Sequence, residues 1–382
     1  MEWIRINSDE DVKIFFEAQK VARQHACATF IASRGALRVA PFAIQFLEFH
    51  PRTENPNATS LIIWPCLLAS AVANIMLTDE IKRAARDFTI AFDIHAAFNS
   101  DASTHAAVNA AYLVALDFST ELLTETIDQT IKAPSTDMLG EVNRDAQLWA
   151  EYSENKADQN PGIVASLWSD ENPLERDWQN LRKKLLAADT PGPRGADWSF
   201  WVKWYDDILA GNPQNWTMLH EIATTGAIDW DASAREVNDR INQIVERYRL
   251  RDEVGALRRE VEEARAALAN RTPRSHNMPP ELVDDTPKIE GRLAVVLAAV
   301  QEAETELEKP QPDRSILTKA GQAISDFAIW FMKYCRKKMD FVINTTITTA
   351  IKWGVPAAGA VYLTTPQKII ELGAAIRAAA GF

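Results

Sequence analysis

The sequence predicts an all-α protein, and three observations carry that expectation. Glycine is scarce, 14 in 382 residues, while alanine is abundant. That balance favours helices over a strand-rich fold, which needs many tight turns. Apolar residues recur at three- and four-residue intervals through most of the chain. In the second half they form two heptad seams: Leu250, Val254, Leu257, Val261, Ala264 and Leu268, then Ile289, Leu293, Val296, Val300, Ala303 and Leu307. Each seam steps alternately by four and three, with Arg and Glu around it.

Residues 8–34 read as the first helix. Ser8 is its N-cap, and Asp9, Glu10 and Asp11 suit the positive end of the helix dipole. Pro41 is expected to break or kink the path, and residues 50–59, with Pro51 and Pro56, to form a loop. The run LIIWPCLLASAVANIML, residues 61–77, is the most apolar in the chain. It is short for a membrane span and contains Pro65 and Asn74. With the stripe Ile81, Ala84, Ala85, Phe88, Phe92 and Ala96 it predicts one long helix, half of it buried at the centre of a bundle. Residues 102–132 predict another helix, with Val108, Ala111, Tyr112, Ala115 and Leu122 inward and Pro134 as its stop.

Between residues 149 and 230 lie eight of the twelve tryptophans. In DWSFWVKWYDDILAG, Trp198, Trp201, Trp204, Tyr205, Ile208 and Leu209 share one helical face, and Gly211 closes the helix. Such a stripe reads as core, each indole N–H finding a partner; a ligand groove is the other reading. Between the heptad seams, prolines at 273, 279, 280 and 287 forbid a continuous helix. Thr286 and Pro287 suit the start of the second seam helix. The seams therefore predict an antiparallel hairpin closed by HNMPPE. His276, Asn277, Pro279 and Pro280 are either a stiff structural turn or a partner-recognition turn. Four segments result: an N-terminal bundle over 1–140, a Trp-rich region of small helices over 141–230, the hairpin over 231–310, and apolar C-terminal helices over 311–382.

Three lines match a known pattern: FWVKWYDDILAGNPQNW from Phe200 to Trp216, VNDRI from Val237 to Ile241, and HNMPPE from His276 to Glu281. With the amphipathic basic helix and apolar C-terminus that follow, the chain from about residue 140 onward resembles a set of uncharacterised bacterial helical proteins. The resemblance implies an architecture and brings no activity, cofactor or catalytic residue with it. In that set a second Asn usually stands where this chain has Met278.

The net charge of −12 argues against general affinity for nucleic acid. Residues 316–382 run against it, with eight basic and three acidic side chains. A basic, apolar tail on an acidic body suggests a negative surface as its target; docking on the body itself is the alternative. Cys27, Cys66 and Cys335 lie far apart and suit a reducing cytosol. The acidic N-terminus lacks the apolar core of a signal peptide. LHEIAT begins like a zinc-protease helix, but Thr224 stands where the second ligand belongs. Asp93 and His95, two apart, point to different sides of a helix. Asp206–Asp207 and Asp284–Asp285 read as solvated or capping groups. No metal, cofactor or catalytic residue is indicated.

The stretch FVINTTITTAIKWGVPAAGAVYL, residues 341–363, carries one charge, Lys352. Its 23 residues suit a bilayer. Lys333, Arg336, Lys337 and Lys338 precede it as a positive flank, and Trp353 and Tyr362 suit the interfaces. Ala350, Gly354 and Ala358 make a small-residue face for helix association. Lys352 and the threonines oppose a simple anchor, at a cost of about 2.5–3.5 kcal/mol for a central lysine. The expectation is a non-enzymatic bacterial protein with a cytoplasmic body and a conditional membrane segment at the inner membrane. It would be homo-oligomeric, with an unknown protein partner and possible pores, and a role in defence or toxicity, as an effector, would fit. The alternatives are a soluble helical scaffold with the tail packed on the body, and an enzyme with its site in the Trp-rich region.

Overall fold

The computed structural model describes residues 21–49, 63–96, 102–115, 120–132, 138–155, 166–168, 172–186, 195–269, 286–343 and 366–380, with residues 11, 14, 15 and 61. Among them are thirteen α-helices and no strand, so the fold is all-α. The chain forms two compact units, Met1–Asn242 and Gln243–Phe382.

The first unit is built around α1 (Val21–Phe49). Nearly every side chain from Cys27 to Ile44 is buried. The helix packs against α2 (Ile63–Ala73), α4 (Ala102–Ala115), α5 (Thr120–Lys132) and α6 (Met138–Asn155). The expected break at Pro41 does not occur; α1 runs through it. A proline leaves the carbonyl four residues earlier without its helical donor. Here that carbonyl belongs to Leu37, and the buried Tyr205 hydroxyl donates to it at 2.8 Å. A side chain 168 residues away thus replaces the missing N–H.

The single helix expected over 61–96 is two helices, α2 and α3 (Asp79–Ala96). Asn74 turns its amide back to Ser70 O (3.0 Å) and across to Ser33 Oγ on α1 (2.6 Å). Thr78 Oγ then accepts the Ile81 N–H at 3.2 Å, and Asp79 and Glu80 fill the first turn of α3. Every residue of α2 is buried, and its eleven residues are too few to cross a bilayer. The helix expected over 102–132 is also two: α4 and α5 pack against each other, which one straight helix cannot do.

The Trp-rich region supplies α7 (Glu175–Leu185), α8 (Ser199–Ala210) and α9 (Trp216–Thr224). Gly211 closes α8 as expected: at φ 68° its N–H bonds back to Ile208 O at 3.2 Å, and Asn212 N reaches Asp207 O at 2.8 Å.

The second unit gathers the later part of α10 (Ala234–Ala269) with α11 (Thr286–Leu307), α12 (Arg314–Ile343) and α13 (Pro366–Ala379). Both heptad seams feed one apolar core: Leu250, Val254, Leu257 and Val261 of α10, with Leu293, Val296, Val300 and Leu307 of α11. Leu317, Ile324 and Phe327 of α12 join the same cluster, as do Ile369, Leu372 and Ile376 of α13. α10 and α11 run antiparallel. Arg247 donates to Lys309 O at 2.9 Å, whereas Arg258 Nε, further along α10, lies 2.8 Å from Glu304 Oε2, further back on α11.

The α11–α12 turn is tied by two carboxylates. Glu306 accepts Lys309 Nζ at 2.6 Å and the Asp313 N–H at 2.5 Å. Asp313 caps α12 by accepting Ser315 N–H at 2.7 Å and Ile316 N–H at 3.3 Å. The Lys309 hydrogen bond, then that from Asp313 N–H, holds the Glu306 carboxyl below its ordinary value. Hydrogen bonds from Ser315, then Ile316, do the same for Asp313. Groups with depressed folded pKa values stabilise above their unfolded values and lose that contribution as pH falls through the folded ones. The melting temperature of the second unit is therefore expected to drop below about pH 4, and Glu306→Gln to shrink the drop in a thermal-melt series.

Candidate functional site: the C-terminal helical pair

α12 changes character along its length. Up to Ala328 one face is buried: Leu317, Ala320, Ile324, Phe327 and Ala328. From there the helix shows Ile329 and Met332, each 37 % exposed, beside the exposed Lys333. An aromatic ladder accompanies this change. Phe327 stacks on Phe331 at 5.9 Å and Trp330 on Tyr334 at 5.5 Å. The Arg292 guanidinium of α11 lies 5.5 Å from the centre of the Trp330 ring. The helix continues to Ile343, directly into the apolar stretch.

α13 returns along α12 at unusually short range. A Cβ on Gly321 would stand 2.6 Å from Gly373 O, and one on Gly373 would stand 2.6 Å from Gly321 O. Only hydrogen at both positions permits that approach. Arg377 secures it, donating from Nη1 to Gly321 O (3.2 Å), Ser325 Oγ (2.9 Å) and Gln322 Oε1 (3.4 Å). Gly321 lies between Gly373 and Arg377, and Gly373 between Gly321 and Ser325, so the pair is antiparallel. Pro366, the first residue of α13, then stands level with about Trp330. α12 overhangs it by about 20 Å at 1.5 Å per residue.

Of the residues singled out from the sequence for membrane or partner contact, Lys333 is described and exposed. Arg336, Lys337 and Lys338 lie on α12, with side chains outside the described residues. Ala350, Lys352, Trp353, Gly354, Ala358 and Tyr362 lie outside the described residues, as do His276, Asn277, Pro279 and Pro280 of the turn and the pair Asp284–Asp285.

The Trp-rich stripe is core. Trp198, Trp201, Trp204, Tyr205 and Ile208 are buried, and Trp64 of α2 stacks on Trp201 at 5.3 Å. Trp201 donates to Asn238 Oδ1 at 2.9 Å and Trp178 to Asp206 Oδ1 at 2.7 Å. Asp206 also accepts Arg182 Nε at 3.0 Å, and its side chain stays 33 % exposed, so it is a partly solvated group with two packed partners. The expectation of one partner per indole fails elsewhere: Trp64, Trp149, Trp168 and Trp204 bury Nε1 without an acceptor from the protein.

Sequence reading missed a buried ionic cluster. Arg34 and Arg38, one turn apart on α1, both bind Asp145 of α6, with all three side chains fully buried. Arg34 Nε meets Asp145 Oδ1 at 2.7 Å; Arg38 Nη1 meets Oδ2 at 2.5 Å. Arg38 also reaches Glu141 at 3.2 Å. Both arginines hold the loop at 166–168: Arg34 Nη2 donates to Ser166 O at 2.8 Å, and Arg38 Nε to Leu167 O at 3.0 Å. Burial pushes the Asp145 carboxyl up, but Arg34 and then Arg38 outweigh it and hold it below its ordinary value. A pair of arginines at four-residue spacing inside an apolar helix was the available signal.

His220 and His25 each meet a partner within the first unit, and Cys27 and Cys66 are buried there. His220, in the LHEIAT stretch, lies 2.9 Å from Thr78 Oγ, the cap of α3. His25 lies 2.6 Å from Leu113 O. Burial pushes the Cys66 thiol up to about 12 and raises that of Cys27 as well. Among the described residues, no group of three or more His, Cys, Asp or Glu could hold a metal. One stretch among them, Gln24–Gln45 in α1, is long and apolar enough to cross a membrane, and 94 % of it is buried in the protein.

Fold and site together define an all-α protein with a basic, apolar helical pair at its C-terminus. No family model, curated protein or solved structure matches the chain.

Proposed function

We propose that this is a non-enzymatic helical protein whose C-terminal segment associates conditionally with a membrane, with oligomers and pores as the consequence of assembly there. One observation carries the reading: beyond Ala328, where Trp330 still packs on the core, α12 bares Ile329 and Met332 beside Lys333 and runs straight into residues 341–363. An amphipathic, basic, aromatic approach to an apolar segment is what a headgroup region accepts. An anionic inner leaflet matches its charge, and a role as a bacterial effector would follow from that activity.

The test must spare α13. Truncation at residue 339 would strip Ile369, Leu372 and Ile376 from the core of the second unit. Replacing 344–363 by a Gly/Ser linker of equal length leaves them in place. The full chain is expected to co-float with vesicles containing phosphatidylglycerol. The linker variant is expected to stay at the bottom of the gradient with its melting temperature unchanged. If the unaltered chain never floats between pH 5 and 8, at any ionic strength, the reading is wrong.

A second reading, a soluble scaffold joined through coiled-coil seams, draws on the packed α13 and the buried heptad positions. A salt-stable oligomer without lipid binding would favour it. The enzyme alternative has no comparable support, since the rings that would line a groove are core.

A further inference from the structure

With α13 docked, residues 344–365 are too few to cross a bilayer. The 22 residues leave α12 at Ile343 and must rejoin the body at Pro366, about 20 Å back along α12. Crossing a hydrocarbon core of about 30 Å takes about 20 helical residues. Two would remain to recross the bilayer and cover the overhang, and two extended residues span roughly 7 Å. The lysine and arginine positions 333–338 keep the problem from being solved by sinking α12 itself, because they belong at the headgroups.

We infer that the Gly321–Gly373 crossing, with Arg377 as its bolt, is a latch: α13 must leave α12 before the apolar segment spans a membrane. The inference rests on the membrane reading above and adds its control step. Docked, the segment reaches the surface only. Released, α13 no longer fixes Pro366, and the whole stretch is free to insert. The latch is one short helix, which besides its polar ties sets Ile369, Leu372 and Ile376 into the core of the second unit. Three hydrogen bonds from one arginine and a glycine-to-glycine approach hold a single 14-residue helix.

The test locks the pair at its rim. Gln322 and Ala374 are exposed and level with each other in the antiparallel alignment. The full chain carrying Gln322→Cys, Ala374→Cys and Cys335→Ser is bridged with a short bismaleimide or capped with N-ethylmaleimide; Cys27 and Cys66 are buried. Each form is mixed with phosphatidylglycerol-containing vesicles and digested, and mass spectrometry reads the protected peptides. The capped form is expected to protect a peptide covering 344–363, and the bridged form at least tenfold less of it. Equal protection in both forms overturns the latch. Arg377→Ala tests the opposite direction and needs no crosslink: the protected fraction should rise several-fold, and an unchanged fraction counts against the latch. Flotation separates the two ideas. Protein that floats with nothing protected, capped or bridged, keeps the membrane reading and ends the latch, whereas protein that never floats ends both.

Discussion

Asp145→Ala is expected to destabilise the first unit by about 3–5 kcal/mol, the range for breaking a buried ion pair by removing one partner. Against a domain stability of about 5–15 kcal/mol, this loss brings the unit close to unfolding. The cause is two guanidiniums, Arg34 and Arg38, left charged in the core without their shared carboxylate. Ten of the twelve tryptophans lie within residues 1–242, so indole fluorescence in a urea titration reports this unit selectively. Asp145→Asn should lose less, because the amide keeps one acceptor. Swapping all three members for apolar residues should not rescue stability fully, since Ser166 O and Leu167 O would lose their donors. The pH dependence supplies a second readout. The folded Asp145 pKa lies below its ordinary 3.8, so the cluster stabilises above that value and the contribution fades as pH falls through the folded one. Asp145→Ala should therefore flatten the acid limb of the stability curve. A variant as stable as the parent would show that the cluster does not hold α1 to α6.

Gly373→Leu is expected to separate α13 from α12 at a cost of about 1–3 kcal/mol or more, the range for overpacking a tight contact. The added Cβ alone would meet the backbone oxygen of Gly321 at 2.6 Å, and a carbonyl in a helix cannot step aside. The helices must move apart, and Arg377 loses its acceptors on α12. Helical circular dichroism should show a lower melting temperature, and limited proteolysis should release the C-terminal peptide first. Gly291→Ala is the matched control. A Cβ there meets open space on an exposed helix position, so it should stabilise by about 0.5–1 kcal/mol. Both glycines are helical; only their neighbours give the substitutions opposite signs.

Much of the architecture was legible from residue order. The heptad seams appear as buried faces of α10 and α11, α11 begins at Thr286, and α8 stops at Gly211, because each depends on neighbours within a turn or two. The break at 74–78 was legible too, in the Thr-Asp-Glu cap of α3, but the apolar periodicity on both sides overrode it. That α1 continues through Pro41 could not be read, because the missing hydrogen bond is replaced by Tyr205, far away in sequence. The expectation of a membrane segment rests on length and charge alone, and residues 344–363 lie outside the described residues.

By itself, the sequence determined that the chain is helical, which positions face a core, and that a basic flank precedes an apolar stretch. These follow from short-range periodicity and local charge. Only the tertiary structure decided that Arg34, Arg38 and Asp145 form a buried cluster, that α13 belongs to the core of the second unit, and that two ordinary-looking glycines permit the helix crossing. Each of these is a contact between residues dozens of positions apart, and no local pattern encodes the distance between such partners.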